Sequence, residues 1–132
     1  MNFSINLDKF FECLQKVETG GEPKGGVGCV NRLEGSYGPL QIRKCFLQDA
    51  NEFLHARIPI RAVRDNFAIS KVIAYAYYLR YKASREALLQ NDWQTLARIH
   101  NGGPRGHKKK STLAYWKKVE KELIKKAQGG ES

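Results

Sequence analysis

Residues 100–116, HNGGPRGHKKKSTLAYW, hold a helix stop and a helix start a few positions apart. Gly102 and Gly103 tolerate positive φ and Pro104 cannot continue a helix, so a helix predicted over residues 92–100 ends there. Ser111 or Thr112 then opens a last helix that buries Trp116, Val119 and Leu123 or Ile124. A short, very basic loop joins the two. The stretch therefore predicts packed helices rather than a sheet protein.

Upstream of it the pattern stays helical. Asp65 is a plausible N-cap for a long helix over residues 65–82, with Ile69, Val72, Ile73, Ala76 and Leu79 on one face, and a short helix follows over residues 84–90. A helix over residues 41–55 turns Ile42, Cys45, Phe46 and Phe53 inward, with Pro59 in the connection behind it. In the first helix Leu7, Phe10, Phe11, Leu14 and Val17 form one stripe, ended by Gly20 and Gly21. Residues 20–40 hold more than half of the twelve glycines and two of the four prolines, which suits an irregular loop or a short hairpin. No segment alternates with period two, and no repeat is visible. The expected fold is mainly α and single-domain over residues 1–132. It has a loop-rich or short hairpin insertion after the first helix, a glycine-rich cleft loop at residues 19–40 and a disordered tail at about residues 128–132.

Composition narrows the function classes. At 132 residues, 42% hydrophobic and 27% charged, the chain suffices for one core. A net charge of +10 and a pI near 9.7 draw it toward polyanions, with nucleic acid bound only non-specifically and the protein expected to be a monomer. Cys13, Cys29 and Cys45 make an odd set without CxxC spacing, so three reduced thiols are expected, and neither a metal site nor a cofactor. The N-terminal stretch MNFSINLDKFFECLQK carries acidic residues and no apolar core, which is not a signal peptide, and no apolar run nears the ~20 residues of a membrane span. Synthesis in a cytoplasm is expected, with action elsewhere only after release.

Glu18 stands out by geometry. It falls eleven positions after Leu7 and returns to within about 20° of that residue's azimuth, so it extends the apolar stripe at the helix C-terminus. Partial burial and the negative end of the helix dipole both disfavour the carboxylate, and the resulting raised pKa is what a general acid requires. The same position also suits a glutamate snorkelling from the fringe of the stripe.

Three motifs occur in order along residues 17–116: Val17-Glu18-Thr19-Gly20, then Ser36-Tyr37-Gly38-Pro39-Leu40-Gln41-Ile42, then Asn101-Gly102-Gly103 ahead of Tyr115. With NGGPRG and STLAYW they resemble the invertebrate-type (destabilase-like) lysozymes and their bacterial and phage relatives, within the lysozyme-like and lytic transglycosylase superfamily. The resemblance implies a lysozyme-like fold and a glycosidase that cuts the MurNAc-β-1,4-GlcNAc bond of peptidoglycan. Glu18 is then the catalytic acid, and Ser36, Gln41, Asn101, Gly102 and Tyr115 belong to the saccharide cleft. Peptidoglycan strands and anionic wall polymers are the implied partners, and the bacterial wall or periplasm the implied place of action.

The second carboxylate is less direct. Animal members carry an aspartate a few residues after the position of Cys29, where this chain has Val30, Asn31, Arg32 and Leu33, and bacterial and phage relatives have one where Cys29 itself stands. Glu34 is the nearby acidic residue and the candidate second catalytic group; Asp49, on the inner face of its helix, suits an orienting role. Among the tyrosines of the central helix, Tyr75 is the candidate to line the cleft. His100 is expected to be partly buried and to fix the Asn-Gly turn. Hydrolysis is the reading. A lytic transglycosylase giving anhydro products, working from Glu18 alone, is one alternative; a non-enzymatic basic module binding nucleic acid or cell wall is the other.

Overall fold

In the computed structural model, which describes residues 5–129, the chain is a bundle of helices with one small sheet. Helix α1 (Leu7–Thr19) starts on Asn6, whose side chain accepts from the Lys9 amide, and ends at Gly20. A short 3-10 segment, Pro23–Gly26, follows. Strands β1 (Val30–Asn31), β2 (Ser36–Tyr37) and β3 (Ile42–Arg43) then form an antiparallel sheet in the order β1-β2-β3, so the insertion is a short meander. Helices α2 (Lys44–Leu54), α3 (Ile60–Asp65), α4 (Phe67–Arg80), α5 (Lys82–Gln90), α6 (Trp93–Gly102) and α7 (Leu113–Ala127) complete the fold. Two 3-10 turns, Gly106–Lys108 and Lys110–Thr112, carry the basic loop between α6 and α7.

The stripe of α1 makes the core. Phe10 stacks on Trp93 of α6 at 5.0 Å and Phe11 on Tyr78 of α4 at 6.1 Å, while α7 lies along α1 and α6 and buries Trp116, Val119 and Leu123. Phe46 of α2 stacks on Tyr77 of α4 at 3.7 Å, which joins the second helix to the same core. Each ring packs on another element, so the helices are fixed relative to one another rather than merely collapsed together.

Several boundaries and faces differ from expectation. Asn66, not Asp65, caps the central helix, accepting from the Ile69 amide; Asp65 instead closes α3. Helix α2 begins at Lys44, because residues 42–43 pair into the sheet; Cys45 and Phe53, expected inward, are exposed. In α4 the buried positions are Ser70, Ile73, Ala74, Ala76, Tyr77 and Tyr78, while Val72 faces outward. Of the tail expected to be disordered, residues 128 and 129 close α7 with a turn, and the remaining positions lie outside the described residues. Among the described residues no helix is long and apolar enough to cross a membrane.

Candidate active site

The end of α1 is tied to both ends of the loop that follows. The Thr19 hydroxyl, buried beside Glu18, lies within hydrogen-bond reach of the carbonyls of Gly25 at 3.0 Å and Pro39 at 2.9 Å. Gly38 holds the loop's far end close: its φ is +77°, and a Cβ there would stand 2.7 Å from the Val63 carbonyl oxygen. Sequence and packing thus deliver Glu18, the sheet and α6 to one cleft.

That cleft has two adjoining depressions that share Glu18 and Gln41. The first, about 100 Å³, is lined by Glu34, Ser36, Arg43, Cys45, Phe46, Tyr77, His100, Asn101 and Gly103. The second, about 410 Å³, is lined by Thr19, Glu22, Cys29, Val30, Asn31, Arg32 and Leu33. Glu18 stands at the junction. A larger open depression of about 760 Å³, along α2 near His55, touches none of these groups and lacks the chemistry considered below.

Glu18 is largely enclosed, its side chain 18% exposed, and burial pushes its pKa up to about 7. The Tyr115 hydroxyl donates to Oε2 at 2.9 Å, which holds the carboxyl in place and opposes part of that rise; the negative field of Glu34 adds to it, and Arg43 and Lys118 counter it. His100 Nε2 lies 3.9 Å from the same oxygen, yet no ion pair forms. Burial drives the imidazole down to about 4, so it is neutral. Its Nε2 lies 2.9 Å from the Leu40 carbonyl, which can only accept, so Nε2 carries the proton and Nδ1 accepts from Tyr78 at 2.8 Å. A protonated carboxyl near neutrality, oriented by one donor, has the properties of a general acid.

Gln41 links strands and cleft. Ser36 Oγ donates to Gln41 Oε1 at 2.7 Å, and Gln41 Nε2 donates to the Gly38 carbonyl at 3.0 Å and reaches Cys29 Sγ at 3.3 Å. Its backbone is left-handed, φ +52°, a conformation rare outside glycine and asparagine that aims the amide into this network. Burial raises the Cys29 thiol, with the charge of Glu22 adding to the effect, so this chain has a neutral S–H at the position where the resemblance implies an aspartate.

Of the residues singled out in sequence, Glu18, Glu34, Ser36, Gln41 and Asn101 come together around the first depression. Glu34 sits in the exposed turn between β1 and β2, with its amide bonded to Asn31 Oδ1 at 3.2 Å. Tyr115 is behind the acid rather than at the cleft wall. Gly102 is not in the wall either: it packs on Thr112, where a Cβ would meet that side chain at 2.5 Å, and Gly103 lines the cleft instead. Tyr75 is on another face, beside Leu7, Leu79, Leu89 and Trp93; Tyr77, two positions on, is the tyrosine in the cleft. Asp49 accepts from Tyr81 at 2.6 Å and stands 3.9 Å from Arg80, so it orients the end of α4 and not the cleft loop. Glu22, Arg43, Cys45 and Phe46 escaped the reading from sequence because their places depend on how the loop folds back. All three cysteines are free thiols, and among the described residues no acidic, histidine and cysteine cluster could hold a metal.

No protein-family model matches the chain. Curated relatives do. Invertebrate-type lysozyme 2 of Caenorhabditis elegans is 49% identical over 112 residues, 81% of this chain and 79% of that protein. Invertebrate-type lysozyme 6 of the same animal is 34% identical over 112 residues, 80% of this chain and 78% of that protein. A lysozyme of Magallana gigas is 32% identical over 108 residues, covering 81% and 73%. Among solved structures, a chain of the crystal structure of Aeromonas hydrophila PliI in complex with Meretrix lusoria lysozyme superposes with a TM-score of 0.70 at 26% identity, over 99% of this chain and 100% of that one.

Proposed function

Since this chain belongs to the invertebrate-type lysozymes, we propose that Glu18 is the general acid with which it cleaves the glycan of peptidoglycan. The observation that carries the assignment is the enclosed carboxyl of Glu18, pushed up to about 7 at the junction of the two depressions. Glu18 gives its proton to the glycosidic oxygen as the bond to the anomeric carbon breaks. The leaving sugar departs as a neutral alcohol, and positive charge develops on the ring that remains.

In hydrolysis a second carboxylate then answers that charge. Glu34 shares the first depression with Glu18 and its field is felt there, which makes it the first choice. Water completes hydrolysis, giving its hydroxyl to the anomeric carbon and its proton to a carboxylate. Glu22 in the second depression is the other carboxylate beside Glu18. The neutral Cys29 thiol favours a second course as well, in which the substrate's own 6-hydroxyl closes on the anomeric carbon and gives its proton to the Glu18 carboxylate, so that Glu18 works alone.

Digestion of purified peptidoglycan with mass analysis of the products separates these. Hydrolysis leaves reducing sugars that have gained water, whereas ring closure leaves anhydro sugars lighter by one water. Loss of turnover by orders of magnitude in a folded Glu34→Gln, with Glu22→Gln active, supports Glu34. The reverse pattern assigns the role to Glu22, and mainly anhydro products from the wild type remove both. A Glu18→Gln variant that still lyses walls at a tenth of the normal rate or more ends the proposal itself.

A further inference from the structure

Arg43 is held at the cleft by the sheet. In β3, Ile42 is buried in the core, so the next side chain, Arg43, turns to the opposite face and is exposed. The register pairs Arg43 with Ser36, whose hydroxyl belongs to the Gln41 network, and both line the depression that holds Glu18 and Asn101. Directly after Arg43 begins α2, anchored by Phe46 and Leu47 in the core, so the base of this side chain is rigid.

Among the described residues its guanidinium has no ion-pair or hydrogen-bond partner. Arg64 is locked to Asp65 at 2.7 Å and Arg80 to Glu52 at 3.0 Å, but among the described residues no carboxylate lies within 4.0 Å of Arg43. Lys44, next in sequence, stands 5.9 Å over the Tyr37 ring and lines the separate depression along α2, so it does not share the cleft with Arg43. Arg32 likewise has no ion pair among the described residues and lines the second depression, but it rides in the exposed turn beside the fully exposed Leu33. A planar guanidinium on a fixed base, facing a cleft, pairs two donors with a carboxylate in a way a flexible surface charge does not.

We propose that Arg43 is a specificity-determining residue that binds a carboxylate on the substrate glycan, so that the cleft prefers acidic strands to a neutral chitin-type polymer. The inference rests on the peptidoglycan reading above and narrows it. Two groups on the glycan offer that carboxylate, the lactyl ether of the muramic sugar and the acidic residues of the stem peptide. Intact peptidoglycan carries the second, and strands stripped of peptide by an amidase carry the first.

The test compares kcat/KM of wild type, Arg43→Gln and Arg43→Lys on intact peptidoglycan, stripped strands and chitin oligomers. Arg43→Gln should lose at least tenfold more on an acidic substrate than on chitin oligomers, mainly in KM, and Arg43→Lys should recover part of it. A loss on intact wall alone identifies the stem peptide, a loss on stripped strands alone the lactyl group, and a loss on both a site that takes either carboxylate. Equal losses on acidic and neutral substrates, or none on any, overturn the proposal. If the wild type cuts nothing, the glycosidase reading fails by itself. The inference is then decided by titrating muropeptide and chitotetraose into both proteins: affinity for the acidic ligand must fall at least tenfold more in Arg43→Gln, and an unchanged ratio overturns it.

Discussion

Glu18 and His100 face each other at 3.9 Å, Oε2 to Nε2, and at pH 6 neither is charged. Burial favours the neutral form of each, which raises the acid and lowers the base. The pair is therefore a contact of two neutral groups, each held by other partners: Tyr115 for the carboxyl, Leu40 and Tyr78 for the ring.

The first consequence is kinetic. Catalysis that needs protonated Glu18 should fall as pH rises through about 7. A pH profile of kcat on peptidoglycan should show that descending limb. Turnover that stays level to high alkaline pH would remove Glu18 from the role.

The second is a change in the pH dependence of stability. Between 4.5 and 7 the folded protein holds a proton on Glu18 that the unfolded chain has released, so this group's contribution falls as pH rises and reaches a destabilisation on the order of 3 kcal/mol above 7. Between 4 and 6.5 the unfolded chain holds a proton on His100 that the folded protein lacks, so that contribution rises with pH. The two oppose each other where they overlap. Glu18→Gln should keep the fold, lose activity by 10²-fold or more, unfold at a higher temperature than wild type at pH 8, and show a stability that climbs from pH 4 to 6.5. Thermal melts of both proteins across this range check it.

Tyr115→Phe removes the donor that favours ionised Glu18. The descending limb should move to higher pH while kcat drops several-fold, since the carboxyl loses its orientation. A drop in kcat with the limb unmoved would mean that Tyr115 only supports packing.

The thiols should separate by location. Cys45 is exposed at the cleft, Cys29 half-buried, Cys13 buried, with its thiol pushed up to about 11. Mass analysis of timed alkylation should show Cys45 modified first and Cys13 only on unfolding. A bulky reagent on Cys45 should block lysis in wild type and spare Cys45→Ser.

Gly106→Ala should destabilise the chain by about 2–4 kcal/mol, because a Cβ there would run into the Arg98 carbonyl oxygen of α6 and force the basic loop off the helix. Chemical denaturation measures this, and a loss under about 0.5 kcal/mol, the level of an ordinary surface change, would contradict it.

What the sequence made legible follows from one-sided patterns. Helix α1 has one buried face, so Leu7 to Val17 announced it and carried Glu18 to its end. Helix α4 is buried over much of its girth, so apolar residues surround it and periodicity could not choose between Tyr75 and Tyr77. Gln41 reads as a good helix residue, but its left-handed backbone and the pairing of β3 delay α2 to Lys44, which turned Cys45 outward. Gly102 owes its identity to Thr112, and Arg43 owes its position to strand register. Both are tertiary facts with no local trace.

The left-handed backbone at Gln41 also marks a place where foldability and function pull apart. Glycine at that position would suit the turn better, and selection for robustness alone would drift toward it. A glycine would also strip the amide from Ser36, Gly38 and Cys29. Descendants of this chain that keep the fold but no longer need the cleft should therefore show their release from selection here first.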